Sequence, residues 1–268
     1  MTAGVGADAS GVPAGDPRAL ADLAAGLGAR LLVGLDVDGT LAPIVERPED
    51  ARLEAGAHDA LVALAAADGV DLAVVSGRPV ADLRGQFAIP AGARLVGSHG
   101  AETWPGASHL DPREAALLAA TTARLEEVAS TLPGAWVERK PFAAALHVRR
   151  ADPEPAAAAL VPLEVACRAD PALTVHVGHM VLEVAVRPTS KVTAVARLRD
   201  ELRPDAVVFV GDDASDERVF AELGPRDLAV KAGPGATHAS HRLATPRDVV
   251  AFAAALAERR GSARSAPR

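Results

Sequence analysis

The apolar positions of the chain fall into a repeating rhythm. A continuous run, Leu31-Leu32-Val33-Gly34-Leu35, ends in Asp36-Val37-Asp38-Gly39-Thr40, the pattern of a strand buried on both faces that gives way to a tight turn. Helical spacing follows over about 55–67. A second run, Leu72-Ala73-Val74-Val75, stops at Ser76-Gly77-Arg78, and Pro79 suits the first position of another helix. Leu95-Val96 before Gly97-Ser98-His99-Gly100 predicts a third strand. Strands alternating with helices in this way form a parallel sheet covered by helices, with ligands at the carboxyl ends of the strands.

The rhythm then changes. Asp111-Pro112-Arg113-Glu114 is a capping-box start with Pro at the first helical position, leading into Leu118, Thr121, Leu125, Val128 and Leu132 at helical spacing. Pro133-Gly134 ends that helix, and 136–138 and 143–148 read as two strands around Lys140-Pro141. Asp152-Pro153 starts a second helix, in which Pro162 predicts a kink or a restart. A further strand pair over 173–177 and 181–186 completes a small antiparallel α+β module.

From Pro188 the first rhythm returns, with a helix over about 190–202, a strongly apolar strand Ala206-Val207-Val208-Phe209-Val210, then Gly211-Asp212-Asp213 and another helix. Leu228-Ala229-Val230 predicts one more strand before a loop at Gly233 and Gly235 and a last helix over 246–256. The module at 105–187 is therefore an insertion into an α/β domain made of 17–104 and 188–258. Residues 1–16 lack periodicity and are expected to be flexible, with a short helix over 18–27 after them; 259–268 reads as a second flexible end.

Composition narrows the class. The chain has 268 residues, 49% hydrophobic but only 3% aromatic with no Tyr, and 35 Asp and Glu against 28 Lys and Arg for a net charge of −7. This is a globular composition, and the acidic excess argues against nucleic acid as a partner, since phosphate backbones are gripped by clustered basic residues. No apolar run reaches the roughly 20 residues of a membrane span. The first residues lack the basic flank and apolar stretch of a signal peptide, so a cytoplasmic location is expected. The single Cys167 excludes a disulfide framework and any multi-thiolate metal site.

Chemistry concentrates at the strand ends. Asp36 and Asp38 are spaced so that one carboxylate attacks while the other handles a proton; Gly39 lets the backbone turn closely around an anion and Thr40 adds a hydroxyl. Asp and Gly are ordinary turn residues after strands, but two acids and Gly-Thr directly behind five buried positions is more than a turn requires. Asp212, Asp213 and Asp216 form a second acidic cluster, whose mutual repulsion a hard cation relieves. Mg²⁺ fits best, needing few protein carboxylates beside phosphate and water. Helix capping, by Asp213, Ser215 or Asp216, is the competing role for this cluster, Glu217 included. Ser76 and the Ser76-Gly77 amides can donate to a phosphoryl oxygen, and Lys191 in the first turn of a helix is badly placed for the helix dipole unless it holds an anion. Together these groups describe metal-assisted phosphoryl transfer through an aspartyl phosphate. A receiver domain carries a similar kit, but in only about 120 residues, and an acid two positions after the first Asp suits acid/base catalysis.

In this order, Asp36-Val37-Asp38-Gly39-Thr40, Ser76-Gly77-Arg78, Lys191 and Gly211-Asp212-Asp213 resemble the haloacid dehalogenase (HAD) superfamily of phosphatases, and the insertion resembles that superfamily's larger α+β (C2B-type) cap. The resemblance implies a Rossmann-like HAD core with a parallel sheet, interrupted by an inserted α+β cap domain that closes over it. More narrowly, Gly97-Ser98-His99-Gly100-Ala101-Glu102, Glu138-Arg139-Lys140 with His147 and Arg149, the stretch from Gly178 to Glu183, and Gly211-Asp212-Asp213-Ala214-Ser215-Asp216-Glu217 resemble the trehalose-6-phosphate phosphatase family. The likeness runs over about 31–256.

What it implies can be assigned by position. Asp36 is implied as nucleophile and Mg²⁺ ligand, Asp38 as the proton donor and later base with its carbonyl on the metal, and Asp212 as the third protein ligand, with Asp213 or Asp216 acting through water. Ser76, Gly77 and Lys191 are implied to hold the phosphoryl group. Arg78 and His99, with Glu138, Lys140, His147, Arg149 and Glu183 of the cap, are implied on the substrate side. The cap residues alternate on predicted strands, so a solvated sheet face is their competing role, as a structural turn is for His99. Trp104 and Trp136 read as packing residues. Val37, Val192 and His179 depart from the family pattern, where an aromatic residue, Gly and a basic residue are expected. The implied activity is Mg²⁺-dependent hydrolysis of trehalose 6-phosphate, with a small sugar phosphate as the partner and no obligate protein partner. The rivals are a phosphatase or phosphomutase of the same cap class acting on a sucrose, mannosylglycerate or hexose phosphate, and a non-catalytic sugar-phosphate sensor.

Overall fold

In the computed structural model, which describes residues 12–105, 110–178, 180–187 and 190–262, strand β1 (Leu31–Leu35) is buried at all five positions and its side chains alternate between two cores. Leu31, Val33 and Leu35 face one cluster and Leu32 the other. The same alternation runs through β2 (Val70–Val75) and β9 (Ala206–Gly211), which flank β1 in parallel. With β3 (Arg94–Gly97), β4 (Glu102–Trp104), β10 (Leu228–Ala232) and β11 (His241–Leu243) they form one seven-stranded sheet ordered β11-β10-β9-β1-β2-β3-β4. Helices α1 (Pro17–Ala25), α2 (Ala57–Ala65), α3 (Val80–Gly85) and α8 (Pro246–Ser262) supply the apolar residues of one face, and α6 (Lys191–Leu202) and α7 (Ala214–Glu222) those of the other. The near-continuous apolar strands follow from this double cover.

The chain divides into two compact units, Met1–Pro105 with Ser190–Arg268, and Gly106–Thr189. In the first, β1 stands where the strand order reverses, because the chain proceeds from β1 to β2 and β3 on one side and returns through β9 on the other. Such a reversal opens a crevice at the carboxyl ends of the strands. Two short strands lie outside the sequence reading: β4, antiparallel to β3, and β11, parallel to β10.

The described residues of both expected flexible ends make fixed contacts. Gly15 donates from its amide to the Arg242 carbonyl at 2.8 Å, and Arg242 Nε donates to the Val12 carbonyl at 2.9 Å, so 12–16 are pinned beside β11; 1–11 lie outside the described residues. At the other end α8 continues to Ser262. Arg260 donates to the carbonyls of Gly28 and Ala29 at 2.7 and 3.1 Å, and Arg259 pairs with Asp22. These arginines anchor the last helical turn; the rest of the expected tail, 263–268, lies outside the described residues.

The second unit is an antiparallel sheet backed by two helices. Its strands β5 (Trp136–Arg139), β6 (Ala143–His147), β7 (Thr174–Gly178) and β8 (Val181–Ala185) pair in the order β5-β6-β8-β7. Helix α4 (Pro112–Ser130) starts on the Asp111–Glu114 capping box, and α5 (Pro153–Arg168) on an Asp152 cap. α5 runs unbroken through Pro162 and does not restart there. Pro162 and Ala158 both face solvent, so the Ala158 carbonyl that loses its intrahelical donor is reachable by water. Arg187 forms a two-pronged pair with Glu114 at 2.6 and 2.7 Å, tying the chain after β8 to the first turn of α4. Among the described residues, no helix is long and apolar enough to cross a membrane.

Candidate active site

The registers align the carboxyl ends of three neighbouring strands. Leu35 is level with Val74 and Val210, so Asp36, Ser76 and Asp212 emerge on one edge of the sheet. After β1 the chain turns sharply, with the amides of Thr40, Leu41 and Ala42 all donating to the Val37 carbonyl. Gly39 makes this turn possible: its φ is +78°, and a Cβ there would lie 2.1 Å from Oδ2 of Asp212. Val37, where an aromatic residue is usual in the resembled family, is fully buried in the core.

Lys191 is the hub of the charges. Its side chain is 2% exposed, and its Nζ lies 3.0 Å from Oδ1 of Asp36, 2.8 Å from Oδ1 of Asp216 and 3.9 Å from Oδ1 of Asp213. The anions that offset its poor helix-dipole position are thus carboxylates of the protein itself. Burial disfavours its charge, but the carboxylates of Asp36, Asp216 and Asp213 outweigh that and drive its pKa up. Burial in turn pushes Asp36 up to about 7, Lys191 opposing and Asp212 adding to the rise. Asp212 is pushed up to about 6 by burial with the Asp216 and Asp213 charges behind it.

Asp36, Asp212 and Asp216 present carboxylate oxygens that all lie within 4.8 Å of one another. Three acids this close resist joint ionisation, and oxygen donors around a hard divalent cation relieve it. The donor set therefore fits a cation such as Mg²⁺. The three are not equivalent. Both oxygens of Asp216 are engaged, Oδ1 by Lys191 and Oδ2 by the amides of Asp212 and Asp213 at 3.0 and 3.2 Å. Asp36 and Asp212 are the freer donors, and Thr40 Oγ1 lies 3.5 Å from Asp212 Oδ1.

Asp213 stands apart from that triad. Its Oδ1 accepts from the Ser215 and Asp216 amides at 2.8 and 3.0 Å and caps α7. Capping and the acidic triad are both roles of Asp216, whose carboxylate completes the box by accepting from the Asp213 amide.

Ser76 is buried, its Oγ accepting from the Arg78 amide at 3.2 Å. Arg78 reaches the first loop: its Nε and Nη2 meet Oδ2 and Oδ1 of Asp38 at 2.6 and 2.7 Å. Behind them the loop after β3 braces the loop after β2, the amides of Ser98 and His99 donating to the carbonyls of Arg78 and Ser76 at 2.8 and 3.0 Å. Ser98 and His99 hold left-handed φ values of +48° and +53°, backbone strain of the kind stored at functional sites. The His99 ring lies over Gly77, where a Cβ would come 2.6 Å from it.

In the second unit the register sets Glu138, Ala145, Glu183 and His176 in one row across the sheet. Lys140 pairs with Glu183, both nearly buried, and His147 Nε2 lies 2.9 Å from Glu138 Oε2. Trp136, expected to pack, stacks on His147 with ring centroids 4.7 Å apart while remaining 39% exposed. Arg149 is exposed just beyond β6, and His179 lies outside the described residues.

Sequence reasoning missed Lys231 and gave Glu102 no role beyond its place in the 97–102 segment. Lys231, 5% exposed, donates to the Asp212 carbonyl and lies 3.4 Å from Glu217 Oε1. A lone Lys inside the apolar strand Leu228-Ala229-Val230-Lys231-Ala232 was the signal, since a buried amine demands a partner. Glu102 accepts from the Ser98 hydroxyl and from the Val80 amide at 3.4 Å, holding the braced loops together.

A family model for trehalose-phosphatase matches residues 34–246. The trehalose-6-phosphate phosphatase of Escherichia coli (strain K12) is 35% identical over 219 residues, covering 80% of this chain and 82% of its own length. The trehalose-phosphate phosphatase of Mycobacterium avium (strain 104) is 37% identical over 215 residues, 75% of this chain; the chain spans only 52% of that longer relative. Among solved structures, the C-terminal domain of C. albicans trehalose-6-phosphate phosphatase superposes with a TM-score of 0.74 at 23% identity, over 93% of this chain and 99% of that domain, a likeness of fold. Haloacid dehalogenase-like hydrolases share the fold at lower identity.

Proposed function

The chain belongs to the trehalose-phosphatase family, and from that membership we propose that it hydrolyses trehalose 6-phosphate to trehalose and phosphate through a phosphoryl group carried on Asp36. The observation that supports this most is the buried Asp36 carboxylate at the end of β1, fixed through Oδ1 by Lys191 at 3.0 Å. Buried and oriented, with its charge matched by an adjacent amine, it has the attributes of an activated carboxylate nucleophile.

A carboxylate oxygen of Asp36 forms a bond to phosphorus as the bond from phosphorus to the sugar oxygen breaks, and Asp38 gives its proton to that departing oxygen. Asp38 then takes a proton from water, whose oxygen bonds to phosphorus while the acyl phosphate bond breaks, restoring Asp36 and releasing phosphate. Ser76 donates its hydroxyl hydrogen to a phosphoryl oxygen, since its oxygen already accepts from Arg78, and the Lys191 ammonium stabilises the negative charge spread over that group. A Mg²⁺ ion held by Asp36 and Asp212, with the Asp38 carbonyl, would add charge neutralisation at the phosphoryl oxygens. Asp216 buttresses Asp212 and Lys191 rather than ligating first. Glu138, Lys140, His147, Arg149 and Glu183 are the sugar-recognising groups of this reading, with charged hydrogen bonding as their chemistry.

Phosphate release measured over a panel of trehalose, sucrose, mannosylglycerate and hexose phosphates tests the substrate. Trehalose 6-phosphate is expected to lead in kcat/KM by about tenfold or more. A clear lead for any other member of the panel overturns it, and binding without turnover of any member would make the protein a sensor.

A further inference from the structure

Arg78 is anchored on almost every side. Its Nη1 donates to the Pro48 carbonyl at 3.0 Å and to Gln86 Oε1 at 3.4 Å, and its guanidinium carbon lies 4.8 Å from the centroid of the Phe87 ring. Gln86 is held in turn, its Nε2 donating to the carbonyls of Pro48 and Ala51 at 2.8 and 3.0 Å. The remaining edge of the guanidinium, Nε and Nη2, forks onto both oxygens of Asp38 at 2.6 and 2.7 Å. Four of the five N–H groups of Arg78 are used in these bonds. Its side chain is only 11% exposed, against 34% for Asp38.

This arrangement discriminates between two roles. An arginine that grips a substrate phosphate needs its fork free and facing the ligand. Here the fork is spent on Asp38, and everything behind the fork serves to keep the guanidinium still. The backbone of Asp38 is fixed as well, because the turn after it converges on the Val37 carbonyl. What the fork adds is control of the Asp38 side-chain torsions, since a bidentate pair sets the plane of the carboxylate as well as its distance.

We propose that Arg78 is a positioning residue for Asp38: mounted on Pro48, Gln86 and Phe87, it sets the rotamer from which Asp38 exchanges its proton with the leaving oxygen, and it acts through Asp38 rather than on the substrate. The proposal rests on the reading of Asp38 as the proton donor. It assigns Gln86 a supporting part at one further remove, as the residue that fixes the guanidinium.

Leaving-group dependence tests it. A sugar alkoxide leaves poorly without a proton, whereas p-nitrophenolate leaves without one, so up to release of the leaving group, the stretch that kcat/KM reports, only the first ester depends on a well-placed Asp38; the later hydrolysis of the acyl phosphate is common to both. Arg78→Ala is expected to lower kcat/KM about 100-fold on the sugar phosphate, mainly through kcat, and about tenfold less than that on p-nitrophenyl phosphate. Arg78→Lys, which cannot fork, should recover part of the loss. Gln86→Ala should reproduce the same preference for the aryl ester with a smaller loss, and it carries the test should Arg78→Ala fail to fold by circular dichroism. Added to Asp38→Asn, Arg78→Ala should cost little more, because its route to the chemistry is already gone. Equal losses in kcat/KM on both esters, a rise in KM alone, or a full further loss in the Asp38→Asn background would each overturn the proposal. Asp38→Asn itself separates the layers. If it shows no leaving-group preference, the role of Asp38 falls and the proposal with it; if it shows one that Arg78→Ala and Gln86→Ala lack, the proposal alone falls.

Discussion

Lys191 Nζ and Asp36 Oδ1 lie 3.0 Å apart, the lysine side chain 2% and the aspartate side chain 6% exposed. They meet because Asp36 ends β1 while Lys191 opens α6, whose apolar positions Ala194, Val195 and Leu198 pack on the sheet face that includes Leu32 and Phe209. The pair is thus set by the packing of a helix on a strand, and the same lysine holds Asp216 at 2.8 Å. One buried cation shared by two buried acids leaves the site short of positive charge, which is the electrostatic case for a divalent ion beside it.

Lys191→Met should therefore damage both stability and turnover. Taking away one partner of a buried ion pair strands the other, at a cost of about 3 kcal/mol, and removal of a charge aimed at the phosphoryl group costs on the order of 10²–10³ in kcat. Urea unfolding and phosphate release measure the two losses. Wild-type stability in the variant would mean that the amine is not buried among these acids.

Asp36→Asn should abolish turnover yet stabilise the metal-free protein. The Asp36 pKa is pushed up to about 7 by burial, against 3.8 as a free side chain. Between those values the folded state holds a proton that the unfolded chain releases, so stability falls as pH rises from about 4 to about 7 and remains reduced above. The asparagine removes that contribution. In EDTA, its urea midpoint should exceed wild type at pH 8 and fall less steeply with pH, a residual slope remaining from Asp212, which is pushed up to about 6. Equal slopes, or lower stability at pH 8, would contradict the buried, proton-retaining carboxylate.

Chelation separates Asp212 from Asp213. Activity should vanish in excess EDTA and return with Mg²⁺, and Mg²⁺ at about 100 times its dissociation constant should raise stability by about 2.7 kcal/mol, since it binds only the folded site. Asp212→Asn should abolish that rise. Asp213→Asn should keep most of it while retaining an N-cap side chain, and Asp213→Ala should lose about 1 kcal/mol of helix capping with or without the metal. Melting curves with and without Mg²⁺ decide; an Asp213→Ala protein blind to Mg²⁺ would move that residue into the ligand set.

The elements around the site were legible because each is a local event. A strand covered on both faces must read as an apolar run, as β1, β2 and β9 do, and the acids after them stand out against it. What sequence hides is pairing across distance. Arg78 and Asp38 lie 40 positions apart and Lys191 and Asp216 lie 25 apart, and no periodicity connects them. Short strands hide too: His241-Arg242-Leu243 carries no apolar alternation, and forms β11 by pairing with β10 while Leu243 enters the core and Arg242 donates to the Val12, Gly233 and Gly235 carbonyls. The arginines at 259 and 260 read as a loose basic end, since their partners, Asp22 and the carbonyls of Gly28 and Ala29, belong to the opposite end of the chain.

The second unit offers a pH test independent of the acids at the strand ends of the first. Glu114 accepts both prongs of Arg187 and the Asp111 amide, and those bonds, the Arg187 one foremost, lower its pKa from 4.5 to about 2. A depressed carboxylate contributes stability that is complete above its unfolded pKa and is lost as pH falls toward the folded value. Protection of the first-turn amides of α4 against hydrogen exchange should therefore decline between about pH 4.5 and pH 2, ahead of global unfolding. Glu114→Gln keeps the capping geometry but not the charge, so it should show the weaker protection already at neutral pH and little further change on acidification. Protection in the variant that titrates as in the wild type would assign the acid sensitivity of this helix to some other group.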